Sequence, residues 1–263
     1  MAIEITTATD EQRNGIRNSL IPDSNLVSGA NAVVGGGASN SASNNFTTVG
    51  GGKSNTASSS YATVGGGYSN DASGGRATVG GGDNNTALGT KSTVGGGENN
   101  TASGDYATVV GGLGGLADRY GMLSHASGEF SAQGDAQAVI FVMRNETTTN
   151  ASTQLFLDGA STKLTIPSGK ILACTINISG IRSTGATGAH YIRKVMIKNV
   201  AGTTSLVGTV STIGTDVEDV AGYDVAITAN NTTDTLDIAV TGATSETIRW
   251  TAVVQGLEIA YGT

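Results

Sequence analysis

Between residues 34 and 108 the apolar positions follow neither a helical nor a simple strand spacing; they recur every fifteen residues. Valine stands at Val34, Val49, Val64, Val79 and Val94, each followed by three glycines. Alanine forms a second column at Ala42, Ala57, Ala72, Ala87 and Ala102, and asparagine a third at Asn40, Asn55, Asn70, Asn85 and Asn100. Threonine precedes the valine at Thr48, Thr63, Thr78 and Thr93, and Thr108 continues that column. Self-similarity at a short fixed period marks a stacked-repeat architecture. Fifteen residues suit one coil of two short strands joined by two turns. In each Ala-Thr-Val, alternation sends residues such as Ala62 and Val64 to one face and Thr63 to the other. The three glycines supply positive φ cheaply at one corner, and the Asn-x-Ala-Ser-Gly stretch supplies the other. A degenerate coil comes first, with Asn25 and Val27 in the asparagine and alanine registers. After Val109 the pattern is expected to fray. Ala126-Ser127-Gly128 returns nine residues out of register, so 109–125 reads as an insertion or a cap.

Beyond Ala136 the period falls to two. Alternating runs cover Ala138 to Met143, Gln154 to Leu157, Lys163 to Ile166, Ile171 to Ile178, Tyr191 to Ile197, Ser205 to Val210, Asp224 to Thr228, Thr235 to Val240 and Thr247 to Ile259. Turn signals such as Asp158-Gly159, Pro167-Ser168-Gly169, Asn230-Asn231 and Thr241-Gly242 separate them. Short strands with regular turns predict an antiparallel sandwich or barrel, of which the sandwich is adopted. Residues 1–24 fit neither pattern: Glu11 to Leu20 could form a short helix capped by Asp10 and ended by Pro22. The expected organisation is all-β: an N-terminal docking segment (1–24), a parallel β-roll or β-solenoid stalk (25–135) and a C-terminal antiparallel β-sandwich head (136–263).

Composition narrows the class. Forty glycines with only two prolines exclude collagen and proline-rich linkers. Charged residues are 13% of the chain, well below what disordered chains carry. A net charge of −7 without a basic patch argues against a nucleic-acid partner. No apolar run reaches the roughly 18 residues of a membrane helix, and the mixed-charge start, Met1 to Arg17, does not read as a signal peptide. A single cysteine, Cys174, permits no intrachain disulfide and no cysteine zinc site. No metal or cofactor is expected. The inward residues of the coil are only alanine and valine. At about 25 cal/mol per Å² they gain little against about 1–2 kcal/mol per ordered backbone residue, so a lone rod is marginal and lateral association of several chains is expected.

The Ala-Thr-Val-Gly-Gly-Gly-x-x-Asn-x-Ala-Ser-Gly pattern resembles the head repeats of trimeric autotransporter adhesins of the YadA kind, and more closely the repeat segments of phage tail fibres and spikes. The resemblance covers about residues 25–134. It implies a left-handed parallel β-roll, trimerised side by side. With no secretory signal and no discernible C-terminal anchor, the virion reading is favoured over the cell-surface one. The implied protein is a non-enzymatic homotrimeric virion fibre of a bacteriophage. It would dock to other virion proteins through its N-terminus and attach to a host cell-surface glycan or protein. A purely structural decoration or collar fibre, a bacterial adhesin and a polysaccharide depolymerase are the alternatives.

Candidate chemistry is sparse. Gly50-Gly51-Gly52-Lys53-Ser54 superficially resembles a phosphate loop. Its lysine becomes Tyr68, Asp83 and Glu98 in later copies, as a solenoid corner allows. His125 and His190 are the only histidines, and no Ser-His-Asp spacing accompanies them. In a trimer, three copies of His125 could gather about an axis and bind a metal, but the reading adopted is an ordinary surface or packed histidine. Asp71, Asp83, Glu98 and Asp105 fall in different registers or at variable positions, as solvated turns would. Asp216, Glu218 and Asp219 cluster in an expected loop. The threonine column raises an ice-binding alternative, although β-branched residues also simply favour strands. Cys174 reads as a small buried residue. Arg182, His190 and Tyr191 flank a glycine-rich loop and are the candidate receptor-binding residues, since such groups can stack on and hydrogen-bond to sugars.

Overall fold

A computed structural model describes residues 24–261. Residues 1–23, which hold all but the last residue of the expected docking segment (1–24) and the helix at Glu11–Leu20, lie outside them. The described residues are all-β, with a parallel β-solenoid of about seven turns of roughly 15 residues. They divide into two compact units, one ending at Gly114 and one beginning at Gly115.

The first unit stacks six coils of two strands each. They are β1 (Leu26–Val27) and β2 (Val33–Val34), β3 (Ser41–Ala42) and β4 (Thr48–Val49), β5 (Thr56–Ala57) and β6 (Thr63–Val64), β7 (Asp71–Ala72) and β8 (Thr78–Val79), β9 (Thr86–Ala87) and β10 (Thr93–Val94), and β11 (Thr101–Ala102) and β12 (Thr108–Leu113). Each strand pairs in parallel with the strand fifteen residues on, as in Thr63↔Thr78 and Val64↔Val79. The valine and alanine columns are buried in both sheets, and the threonines between them point outward, half-buried.

The asparagine column does more than turn the chain: it is buried throughout. Asn70 is typical. Its Nδ2 donates to the Gly66 carbonyl at 2.9 Å and the Gly82 carbonyl at 2.8 Å, and its Oδ1 accepts from the Asn85 backbone N–H at 3.0 Å. Donor and acceptor are both satisfied, which is the condition for burying an amide at little cost. In the glycine triplet only the second and third residues have positive φ. Gly67, at φ +96°, sits where a Cβ would meet the Gly82 carbonyl oxygen at 2.1 Å, so the third position cannot carry a side chain.

The expected fraying after Val109 is corrected. Val109 pairs with Val94, and Leu113 continues the corner ladder from Glu98. Backbone hydrogen bonds hold this coil although Val110 replaces the first glycine.

The second unit opens with a coil of the same build, β13 (Leu116–Ala117) and β14 (Leu123–Ser127), with Ala117, Met122 and Ser124 buried in the repeat's own registers. The strands β15 (Ala136–Thr147), β16 (Ser152–Gln154), β17 (Leu164–Thr165), β18 (Lys170–Arg182), β19 (Gly188–Val200), β20 (Thr203–Leu206), β21 (Ser211–Thr212), β22 (Val217–Glu218), β23 (Asp224–Asn230), β24 (Thr235–Thr241) and β25 (Ile248–Ala260) follow. An antiparallel sheet runs β14-β15-β25-β18-β19-β20, with β21 and β22 also on β19. A smaller sheet runs β16-β24-β17, with β23 on the far side of β24. Together they form a sandwich whose core includes Phe141, Leu155, Ile176, Tyr191, Ile238 and Trp250. Cys174 is buried here, and desolvation pushes its thiol up to about 12. Among the described residues, no helix is long and apolar enough to cross a membrane.

Candidate functional site

Long strands of strict alternation give the larger sheet one buried face and one open face. The open face carries exposed apolar side chains towards both ends of the strands. At one end it exposes Leu123, Met196, Leu257 and Ile259. At the other, where β18 turns into β19, it forms an open cleft of about 590 Å³ lined by Ser179, Ile181, His190, Val217, Asp219 and Arg249.

The cleft is built by register. Ser179 lies directly opposite His190, and Ser179 Oγ is 2.8 Å from His190 Nδ1. Arg249 lies opposite Ile181 and is largely exposed, with Nε 3.3 Å from Glu146 Oε2. Asp219 accepts from the Gly188 N–H at 2.9 Å, which ties the far wall to the start of β19. Hydroxyl, imidazole, guanidinium and carboxylate groups therefore ring the apolar side chains of Ile181 and Val217. Few polar groups on an apolar floor is the usual make-up of a site for a polar organic ligand.

Of the three candidate receptor residues, the structure brings only His190 to this cleft. Tyr191 is its neighbour on one strand, so it points to the opposite face and is 2% exposed. Its ring stacks on Trp250 at 6.5 Å, and its hydroxyl donates to Glu218 Oε2 at 3.2 Å. Burial, with the Glu218 carboxylate alongside, pushes the Tyr191 phenol well above its ordinary range. A ligand therefore finds no free face on Tyr191. Arg182 faces Glu246 at 3.2 Å, and Glu246 also accepts from the Tyr223 hydroxyl at 2.8 Å.

The acidic cluster is fully engaged along β19. Asp216 takes a two-pronged contact from Arg193, which holds its carboxyl below the usual range. Glu218 meets Tyr191, and Asp219 meets Gly188. These contacts close the 207–222 segment onto the strand edge, a role invisible in linear spacing. His125 lies on the same open face, opposite Ala138. Among the described residues, no group of three or more His, Cys, Asp or Glu side chains is placed to hold a metal ion.

No protein-family model and no curated protein matches the chain. Solved structures that match it include phage tailspikes. One is the tailspike protein of Acinetobacter phage vB_ApiP_P1 (12% identity, 88% of this chain and 51% of that one, TM-score 0.28). A second is the tailspike gp49 of Acinetobacter baumannii bacteriophage Fri1, described as a capsular polysaccharide depolymerase (12%, 82% and 40%, 0.28). A third is the tailspike of Acinetobacter baumannii phage AM24 (9%, 85% and 48%, 0.30). The chain spans about half the length of these proteins or less. They correct the expectation of a non-enzymatic protein: a matching tailspike is a depolymerase, so that expectation is withdrawn. Its physical basis was narrow, because a site assembled from residues on several strands leaves no motif in the linear sequence.

Proposed function

We propose that this chain is a phage virion fibre that attaches to a host-surface glycan through the His190 cleft. The cleft on the open face of the larger sheet carries the reading. Its Ser179, His190, Asp219 and Arg249 side chains offer groups suited to sugar hydroxyls. The other end of that face, some 8 residues or about 26 Å away along β25 at roughly 3.3 Å per residue, has exposed aliphatic surface at Leu257 and Ile259 that association would cover. Three copies joined by that end make the homotrimer, with the YadA-like roll as stalk, the N-terminal residues docking on other virion proteins and the clefts acting together through effective concentration. Tail attachment is the corresponding location, as for the tailspikes named above.

The test uses the full chain as a competitor of phage adsorption to host cells. His190→Ala with Arg249→Ala should abolish competition, and unchanged competition rejects the cleft. A monomeric mass by light scattering at micromolar concentration, about where standard-sized interfaces still hold, rejects the homotrimer. Release of new reducing ends from host polysaccharide would show that the attached glycan is also cut.

A further inference from the structure

Each coil of the first unit holds left-handed backbone at two non-glycine turn positions. One register, Ser24, Ser39, Ser54, Ser69, Asn84 and Asn99, has φ of 53 to 62°. The other, Asn31, Phe46, Tyr61, Arg76, Lys91 and Tyr106, has φ of 56 to 63°. The backbone demand is the same, but the residues differ in kind. The first register uses small polar side chains, of which asparagine is the type most at home in this region. After Asn31 the second register is filled by the bulky types for which this conformation is disfavoured. Backbone geometry does not explain that choice. Residues held in unfavourable backbone regions concentrate at ligand sites.

The second register forms a continuous exposed column on one corner. Phe46 and Tyr61 stack with centroids 4.9 Å apart and planes 6° apart. The Arg76 guanidinium lies 5.4 Å from the Tyr61 ring centre. Lys91 Nζ lies 4.7 Å from the Tyr106 ring centre and donates to its hydroxyl at 3.0 Å. Phe46, Tyr61 and Tyr106 are each about half exposed (47%, 51% and 47%). Because rings and cations cover one another's faces, the column presents outward a row of edges, two phenol hydroxyls, a guanidinium and an ammonium, one group per coil. The column one residue earlier reads Asn45, Ser60, Gly75, Thr90 and Asp105. Asp105 is its one acid, and its carboxylate accepts from the Thr90 N–H at 2.8 Å.

A row of donors at one coil spacing, from Tyr61 through Arg76 and Lys91 to Tyr106, fits a linear ligand whose own repeat is about one sugar ring long. Two adjacent cations on a chain of net charge −7 fit carboxylate-bearing sugars. Nucleic acid, which requires many phosphate contacts, is poorly matched by two cations. We propose that this corner is a binding track for an acidic glycan chain, distinct from the His190 cleft. It deepens the attachment reading and rests on it only for the class of ligand.

The experiment measures retention of the full chain by immobilised polygalacturonate at low salt, with dextran and poly(dT) as competitors. Wild type should be retained, and polygalacturonate but neither competitor should release it. Arg76→Ala with Lys91→Ala should weaken binding at least about fivefold, on the scale of two exposed charge contacts, while Arg76→Lys with Lys91→Arg should keep it. Salt near 0.5 M should release the protein, because exposed charges are screened. No retention of wild type overturns the proposal, as does a double alanine variant within twofold, or equal competition by dextran or poly(dT). A drop in thermal midpoint with unchanged retention assigns the column to fold stability and equally overturns it. His190→Ala separates the two readings. Lost host adsorption with normal polygalacturonate retention leaves the track standing, and the converse pattern removes the track alone.

Discussion

The indole of Trp250 lies across the face of Gly180, its cross-strand partner. A Cβ on Gly180 would meet two ring carbons at 2.4 Å. The bare backbone of Gly180 is thus the seat of the largest core side chain, and Trp250 Nε1 is fixed by donating to Thr147 Oγ1 at 3.0 Å. Gly180→Ala should force the indole from its place and cost about 1–3 kcal/mol, as overpacking does. Urea unfolding followed by the fluorescence of this single tryptophan measures it. A variant as stable as wild type, with an unshifted emission maximum, would refute the packing described.

The asparagine ladder makes a different prediction. Asn70→Leu conserves approximate volume but removes partners from the Gly66 and Gly82 carbonyls and the Asn85 N–H. Each buried polar group left without a partner costs about 1–3 kcal/mol, so the variant should lose at least about 2 kcal/mol despite its greater hydrophobicity. If hydrophobicity governed this column, denaturant melts would show the leucine variant to be the more stable.

Ser92 offers the opposite change. It occupies the register that holds Ala62, Ala77 and Ala107, and its hydroxyl is buried without a hydrogen-bond partner. Thr47, in the same register, escapes this by donating to the Asn44 carbonyl at 2.7 Å. Ser92→Ala should therefore stabilise the chain, by up to about 1 kcal/mol. A lowered thermal midpoint would show that the hydroxyl has a partner after all.

How much of this could be read from the residues alone depended on the kind of constraint. The columns of Val64 and Ala72 were legible because a stacked coil must repeat whatever it buries. Alternation marked the strands at Asp224–Asn230 and Thr235–Thr241 for the same reason. The coil past Val109 was not legible, because parallel backbone bonds tolerate Val110 and Leu113 where earlier copies have other residues. The burial of Asn70 was hidden too, since one asparagine reads as a turn former and only a stack of them satisfies itself. Among the receptor candidates, strand alternation already separates His190 from Tyr191, but it applies only once both are placed on one strand. The contacts of Asp216, Glu218 and Asp219 with β19 are long-range, and no local pattern announces them.

Buried charge in the sandwich gives a fourth prediction. Glu258 is 1% exposed and accepts from Arg119, from Lys170 at 2.7 Å and from Gln137 at 3.0 Å. Arg119 in turn lies 4.9 Å from the Phe141 ring centre. Glu258→Ala leaves a nearly buried guanidinium without its main counter-charge and should cost about 3–5 kcal/mol. Glu146→Ala, which removes the exposed partner of Arg249, should cost under about 1 kcal/mol. Equal losses in the two variants would contradict the burial difference.

The turn at Asp158 sets part of the acid response. Its carboxylate accepts from the backbone N–H groups of Thr162, Ala160 and Ser161, each at 2.9 Å, and from the Thr162 hydroxyl at 2.7 Å. The backbone bonds, led by that from Thr162, hold its pKa well below the ordinary 3.8. A carboxyl with a depressed folded-state pKa contributes stability that is present above its unfolded value and lost as the pH falls through the folded one. At pH 7 Asp158→Asn should be less stable than wild type. The gap should stay constant down to about pH 4, near the unfolded carboxyl value, and then narrow as wild type takes up the proton that the amide never binds. Chemical denaturation at pH 7, 4 and 2.5 follows the gap. A gap that is constant over the whole range, or that widens in acid, would mean the carboxylate does not hold this turn.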